Sequence, residues 1–474
     1  MIAEAGGAGQ RKPIQAAAAD VAGHLQGGEA GAVAGTTAAW PSARVAWYTV
    51  FVLALTVLFS QLDLQIMSLL VRPIKGDLHL TDTGMGLLLG PAFALFYTFI
   101  GIPVARYIDR HSRKVILSIG LAVWSAATVF CGLAQSFAQL FASRVMVGAG
   151  EAVNGPATFS MISDSFPQER LPRAIAVMQL GVVAGNGLAL LLGAVVIALL
   201  ANAPPIALGP LVIRWWQLVF IVVGLPGLLV ALLMRATVQE PARRGVAALG
   251  TLRLSLLDVL RYLSERWRVF LPMFLGLTLG ALSLGAQMWI PTFFQRTYEW
   301  DVVRSGRVLG LVSLIAMPLG LAIGVWLVER LERRKRPDAP LRIVILAAVF
   351  RIPASILMPL MPVPWLAVLC QGVVYCSVGM GGASQNAALQ IVTPNQMRGQ
   401  VTALYLFLFQ VIGMGLGPSV TGLLTDHVFH AESELRYALM TVYAVSAPLA
   451  LLFVWLGVRP YVQEVARLRG QAVR

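Results

Sequence analysis

Charge is what this chain has least of. Only 12% of its 474 residues are Asp, Glu, Lys or Arg, against about 25% in an average globular protein. That deficit excludes an ordinary water-exposed domain of this size. Cysteine is scarce too: Cys131, Cys370 and Cys376 are the three present, all in apolar runs. Their spacing excludes a disulfide framework and a thiolate metal site. The five histidines (His24, His79, His111, His427 and His430) fall in the tail or in loops, so no metal or nucleophile cluster of a membrane enzyme can be assembled from them. No Gly-rich loop closing on Lys and Ser/Thr occurs, which argues against nucleotide-driven pumping. No cofactor and no metal are expected. Residues 1–43 are rich in Ala and Gly and poor in large apolar residues. They read as a disordered tail, without the basic start, apolar run and cleavage site of a secretory signal.

What is present is apolar: 58% of the chain is hydrophobic. A helix needs about 20 apolar residues to cross a bilayer. Twelve stretches reach that length: Val45–Val71, Met85–Tyr107, Val115–Ala134, Leu140–Ser163, Ala174–Leu200, Trp216–Met234, Val269–Gln295, Ser305–Val328, Leu341–Met361, Trp365–Gln390, Gln400–Leu424 and Tyr437–Val458. They are called segments one to twelve below. Six of them lie in 44–234 and six in 269–459, which predicts two helical bundles. The linker 235–268 carries Leu252, Leu256, Leu257, Leu260 and Leu263 among charged residues, a spacing that suits an amphipathic helix on the membrane face. Residues 460–474 read as a second tail.

The net charge of +14 does not point to nucleic acid, because the positive residues are scattered over short loops. It reports orientation instead. Of the 36 Lys and Arg, seven (Arg72, Lys75, Arg214, Arg296, Arg304, Arg307 and Arg436) lie on the side away from the N-terminus, and Arg144 and Arg351 lie inside segments. The rest share a side with both termini, so the positive-inside rule places the termini in the cytoplasm. The halves also echo one another. Asp109-Arg110-His111-Ser112-Arg113-Lys114 follows segment two, and Glu329-Arg330-Leu331-Glu332-Arg333-Arg334 follows segment eight. Internal repeats of this kind are a mark of secondary transporters.

At these residues the chain resembles the major facilitator superfamily, whose signature loop after segment two is similar to 106–114. Arg144 to Ala152, with Gly148, Gly150 and Glu151, and the run from Asn154 to Phe166 with Asp164 resemble segment four of its Spinster-like branch. Asp63 stands where that branch carries an acidic residue in segment one. The chain departs from the loop pattern with Ala105 in place of Gly, and in its second copy with Glu329 for Asp and Val325 at the small position. Leu64-Gln65-Ile66 replaces the branch's aromatic-rich turn. The resemblance implies an all-α membrane protein of twelve helices in two pseudo-symmetric six-helix bundles, working as a monomer by alternating access. It also implies that Asp109, Arg110, Arg113 and Lys114, with Glu329, Arg330, Arg333 and Arg334 as the second copy, form a cytoplasmic gating network that helps hold the outward-open state; the other reading is positive-inside charge alone, against which the repeated acid at Asp109 and Glu329 speaks.

Ionisable residues at membrane depth cost at least a few kcal/mol and usually face a cavity or a partner. Arg144 and Glu151 are about two turns apart on one helix, roughly 10.5 Å, and Asp63 falls between them in depth. Two readings are open. Either a static ion pair fixes the helices, or Arg144 alternates between Asp63 and Glu151 or substrate, switching the proton affinity of the carboxyl it leaves. Arg351, mid-depth in segment nine with no acid inside any second-half segment, is satisfied by backbone loosened at Pro353, binds an anionic substrate or reaches across to Glu151. In this superfamily segments one, four, seven and ten line the cavity. Here they offer Asn154, Gln287, Trp289, Gln371, Tyr375 and Asn386, each either a substrate contact or an interhelical hydrogen bond. The expected function is proton-coupled transport of a small organic molecule, anionic or amphiphilic, across a bacterial inner membrane, with protons and membrane lipid as its other partners. Efflux of lysolipid-like or drug-like amphiphiles by proton antiport is the alternative within that class. A channel or sensor without coupled transport is the alternative outside it.

Overall fold

The protein is described from a computed structural model that covers residues 40–244 and 256–470, apart from 109, 210, 335, 337, 395 and 469. It is helical nearly throughout. Among the described residues, eleven stretches are long and apolar enough to cross a membrane by length and composition. The twelfth, segment four, is cut at Ala152–Val153 into Phe137–Glu151 and Asn154–Ser165, neither long enough alone. Twelve spans result. "Inner" below denotes the side on which segment one begins, at Ala43.

Several spans are interrupted, two of them beside a proline. Segment two is Asp82–Leu89 followed by Pro91–Ile108, split at Gly90, where proline removes a donor. Segment seven runs Trp267–Ala286, passes a tight turn at Gln287–Trp289 and resumes as Ile290–Thr297 around Pro291. Segment eleven widens into a π-helical stretch at Phe409–Gly415, between Arg398–Leu408 and Leu416–Leu424. Such irregular backbone is tolerated at membrane depth only where it is buried in protein or lines a cavity.

Three features depart from the sequence expectations. The last helix, Leu435–Leu468, continues past Val458 because Tyr461, Glu464 and Val465 are buried, so residues 460–468 are not a tail. The linker does form a helix, Leu256–Glu265, but Val259, Tyr262 and Leu263 pack inward against Val269, Phe270, Tyr461 and Val465. Arg266 ties its end to Glu464 at 3.1 Å. The stripe that seats the helix is therefore on protein, and Leu257 and Leu260 stay exposed. Leu252 lies outside the described residues. Between segments five and six, Ile206–Leu208 pairs antiparallel with Leu211–Ile213; its turn uses Gly209 at φ +63°, a conformation open to glycine.

The two halves of the chain meet most closely through glycines near the outer side. A Cβ on Gly90 would fall 2.0 Å from the Gly415 carbonyl oxygen, and one on Gly86 2.7 Å from that of Pro418. Segments five and eight cross the same way: a Cβ on Gly187 would meet the Leu314 nitrogen at 2.5 Å, and one on Gly310 the Leu191 side chain at 2.9 Å. Small residues permit this backbone approach in a membrane, where no hydrophobic force drives helices together. Gly90→Val should therefore lower the melting temperature of the purified protein by several degrees, whereas Gly76→Ala, with open space around its Cβ position, should leave it unchanged; equal effects would mean that the glycine contacts do not hold the halves.

Candidate functional site

Asp63 and Arg144 face each other across segments one and four, 2% and 0% exposed. Arg144 Nη1 donates to Asp63 Oδ2 at 2.5 Å. Thr128 Oγ1 donates to the other carboxylate oxygen at 2.8 Å, anchored in turn to its own backbone at the Trp124 carbonyl. The guanidinium lies 5.6 Å from the Phe93 ring centroid, and its Nε is buried without an acceptor. Removing water from two charges is offset only when geometry and extra hydrogen bonds are good, and here Thr128 supplies the extra bond.

Glu151 sits apart from this pair. It ends the first helix of segment four, one step before the break at Ala152–Val153. Ser60 Oγ donates to its Oε2 at 2.7 Å, while its Oε1 is buried with no partner. The carboxyl lines a cavity of about 150 Å³ with Val57, Ser60, Tyr97, Asn154, Thr158 and Met178 among its walls. Asn154 Oδ1 accepts from Thr56 at 3.3 Å and from Thr158 at 3.1 Å. The structure thus brings together segments one, two, four and five around a carboxyl that, among the described residues, has no salt-bridge partner.

The second-half candidates divide. Arg351 and Asn386 line a larger cavity of about 260 Å³ within that half. Gln371 Nε2 donates to Gln287 Oε1 at 2.7 Å, and Gln287 Nε2 donates to Tyr443 Oη at 3.0 Å, a polar bridge across segments ten, seven and twelve. Tyr375 lies beside Gln371. Trp289 is fully buried and donates from Nε1 to the Pro418 carbonyl at 2.9 Å; it packs segment seven on segment eleven and is not a wall of either cavity.

The gating residues also divide. Asp109 lies outside the described residues. Arg113 is buried and holds four partners: Asp164 and Ser160 of segment four through Nη1, the latter at 3.1 Å to Oγ, Glu240 through Nε at 2.9 Å, and the Pro241 carbonyl through Nη2 at 2.5 Å. Glu240 also accepts from Ser112 Oγ at 2.7 Å and the Lys114 N–H at 2.8 Å. Arg110 is exposed at the turn. Among the described residues the echo in the second half builds nothing comparable: Glu329 and Arg333 are an exposed pair 3.8 Å apart, Arg330 stacks over Trp326, and Arg334 is exposed. Each of these inner ties stays within one half.

The charges that join the halves are at the outer end, where the sequence shows only loop charges. Asp82 of the first half, fully buried, accepts from Lys75 at 2.6 Å and from both terminal nitrogens of Arg296 in the second half, at 2.6 and 2.8 Å. Glu432 binds Lys75 at 2.7 Å and Arg296 at 3.3 Å. Asp426 accepts from the Thr83 N–H at 2.6 Å and Thr83 Oγ1 at 2.7 Å, capping the first turn of Asp82–Leu89 from the opposite half. Gln295 Nε2 reaches the Leu69 carbonyl at 3.2 Å. The outer side is tied shut.

Residues 53–418 match the Major Facilitator Superfamily. The chain belongs to this superfamily. It is a membrane transporter rather than an enzyme, with a small-molecule substrate and a lipid surround. It is similar to an MFS-type efflux pump of Mycolicibacterium smegmatis, 28% identical over 431 residues that cover 89% of this chain and 95% of that one. It is similar to protein spinster homolog 3 of Mus musculus, 27% identical over 87% of this chain and 82% of that one, and to a probable L-galactonate transporter of Escherichia coli, 22% identical over 88% and 90%. In fold it resembles a bacterial homolog of the human lysosomal transporter Spinster, solved inward-facing and unoccupied, with a TM-score of 0.71 and 24% identity over 91% of this chain and 100% of that one.

Two outcomes are expected. Arg296→Gln leaves Asp82 buried with Lys75 as its remaining cation, so the cost falls below that of a buried charge left without any partner, about 3–5 kcal/mol; spin labels at positions 79 and 430 should then show a population at longer separation, and an unchanged distance distribution would contradict an outer tie. At the inner end, burial opposes the charge of Glu240, but Arg113, Ser112 and the Lys114 N–H outweigh it and hold the carboxyl below its usual range. A carboxyl so lowered stabilises the folded state above its unfolded pKa of about 4.3 and loses that contribution as pH falls through the folded value. The melting temperature should therefore drop less between pH 7 and pH 4 in Glu240→Gln than in the parent; equal drops would remove Glu240 from the account.

Proposed function

We propose that the protein is a proton-coupled secondary transporter of a small organic molecule, with Glu151 as the proton carrier. The observation that carries this reading is the buried, unpartnered oxygen of Glu151 facing a cavity while the nearby cation is committed to Asp63. Desolvation favours the neutral form of such a carboxyl, and the approach of a guanidinium favours the ionised form. Arg144 starts about two turns away on the same helix. The break at Ala152–Val153 gives Glu151 freedom to move relative to the helix Asn154–Ser165. When Arg144 turns from Asp63 towards Glu151, the proton leaves Glu151 and Asp63 becomes the carboxyl that needs one.

In this reading 44–234 and 269–459 act as two bundles joined by 235–268, and they rock around the cavities by alternating access. The outer tie through Asp82 and Arg296 supports an inward-facing arrangement for the state described. The inner tie through Arg113 keeps segments three and four and the end of segment six together as one body during the motion. The excess of Lys and Arg on the side of the termini supports cytoplasmic ends; a bacterial inner membrane and a single chain as the working unit belong to the same reading. Nucleic acid has no part in it. Efflux of an amphiphile by proton antiport is a second reading, favoured by the similarity to the efflux pump.

In vesicles with an imposed pH gradient, Glu151→Gln should lose gradient-driven accumulation by about tenfold or more, as expected for removal of a proton-transfer group, while exchange of substrate across the membrane at equal pH persists. Full pH-driven accumulation by Glu151→Gln would sink the assignment.

A further inference from the structure

The larger cavity lies within the second half, between segments seven, nine, ten, eleven and twelve, and among the described residues Arg351 is the one full charge on its wall. Ala339–Leu357 carries Arg351 about twelve residues from its inner end, roughly 18 Å into the span. Its Nε is buried without a hydrogen-bond partner. Among the described residues no carboxylate pairs with the guanidinium, and no Asp or Glu lines the cavity. Pro353 was the expected source of a compensating carbonyl, yet among the described residues Arg351 makes no hydrogen bond to backbone. A cation at this depth with no partner is expensive, and what surrounds it is empty volume with polar groups spread over it: Asn386, Gln385 and Ser377 on segment ten, with Gly276 and Gly280 thinning the opposite wall. A Cβ on Gly280 would come within 3.4 Å of Arg351 Nη2, so this glycine keeps the space in front of the guanidinium open.

We infer that the cavity is an oxyanion subsite in which Arg351 binds the carboxylate or phosphate of the transported molecule, with the amides of Gln385 and Asn386 available to the rest of it. A guanidinium fork matches the two oxygens of such a group. The volume of about 260 Å³ is small for a ligand pocket, about 300 Å³ at the low end, and fits a compact acid or a headgroup rather than a whole lipid. The inference rests on the transporter reading above and places anion and proton in opposite halves: Arg351 in the second, Asp63, Arg144 and Glu151 in the first. Movement of the halves then couples two sites that share no residue.

The test is binding to the purified full-length chain in uncharged detergent, measured by thermal shift and titration. The probes are galactonate and galactarate, the uncharged polyol galactitol, and a lysophosphatidyl lipid. The acids should stabilise the protein and galactitol should not. Arg351→Gln should weaken acid binding about tenfold or more, the scale of a lost charge-assisted hydrogen bond, and Arg351→Lys should retain part of it. The unliganded Arg351→Gln protein should melt no lower than the parent, since it loses an unpaired charge; a clear loss of stability would instead mark Arg351 as a structural residue and overturn the inference. Gly280→Val, which fills the space without touching the charge, should weaken binding too. An Arg351-dependent shift with the lysophospholipid alone would keep the oxyanion site and name a headgroup as its source. Binding unchanged in Arg351→Gln, or no shift of the parent by either anion class, would overturn it. Repeating the titration in Glu151→Gln separates the two ideas: acid binding retained there leaves the anion site standing even where proton coupling fails.

Discussion

The ion pair between Asp63 and Arg144 is the constraint around which the first half is arranged. Two charges taken out of water must compensate each other, so segments one and four are held face to face at the depth where they meet, and Thr128 adds segment three through the second carboxylate oxygen. With its cation thus occupied, the site leaves Glu151 as a buried carboxyl without one. A cavity adjoins it, and a chain break comes immediately after it. The same pair that stabilises the fold therefore creates the unsatisfied group that can do chemistry.

Polar contacts elsewhere fall into two kinds that act at opposite ends. At the outer end Asp82, Lys75, Arg296, Glu432 and Asp426 bind one half to the other, and glycines let the backbones close beneath them. At the inner end Arg113, Asp164 and Glu240 bind helices of the same half. Ties between halves oppose their relative motion, whereas ties within a half make it move as a body. That division places the charged ties between halves described above at the outer end. It also gives the paired motifs of the sequence unequal parts: the first copy is a buried network, and the second is an exposed pair on a helix end.

The spans, their number and the three ionisable residues at the first-half site were legible because apolar length and charge at membrane depth are local properties of the sequence. Pairing was not. Nothing in the spacing of Asp63, Arg144 and Glu151 decides which carboxylate holds the guanidinium; that depends on how segments one and four meet. The outer tie was missed for the same reason: Asp82 and Arg296 are ordinary loop-end charges until folding buries them against each other. The helix at Leu256–Glu265 was readable from its leucines, but the residues that seat it are Val259 and Tyr262, which a leucine stripe conceals. Trp289 looked like a cavity residue from its segment and is instead a packing residue whose indole reaches a carbonyl.

The central claim is that one buried carboxyl, Glu151, holds the exchangeable proton while Asp63 stays ionised against Arg144. Infrared difference spectroscopy of the reconstituted protein across a pH titration reads this directly, through the carbonyl stretch of a protonated carboxyl inside the membrane. The account predicts such a band that disappears in Glu151→Gln and weakens in Asp63→Asn, which frees Arg144 to turn towards Glu151. A band that survives in Glu151→Gln, or vanishes only in Asp63→Asn, would contradict it.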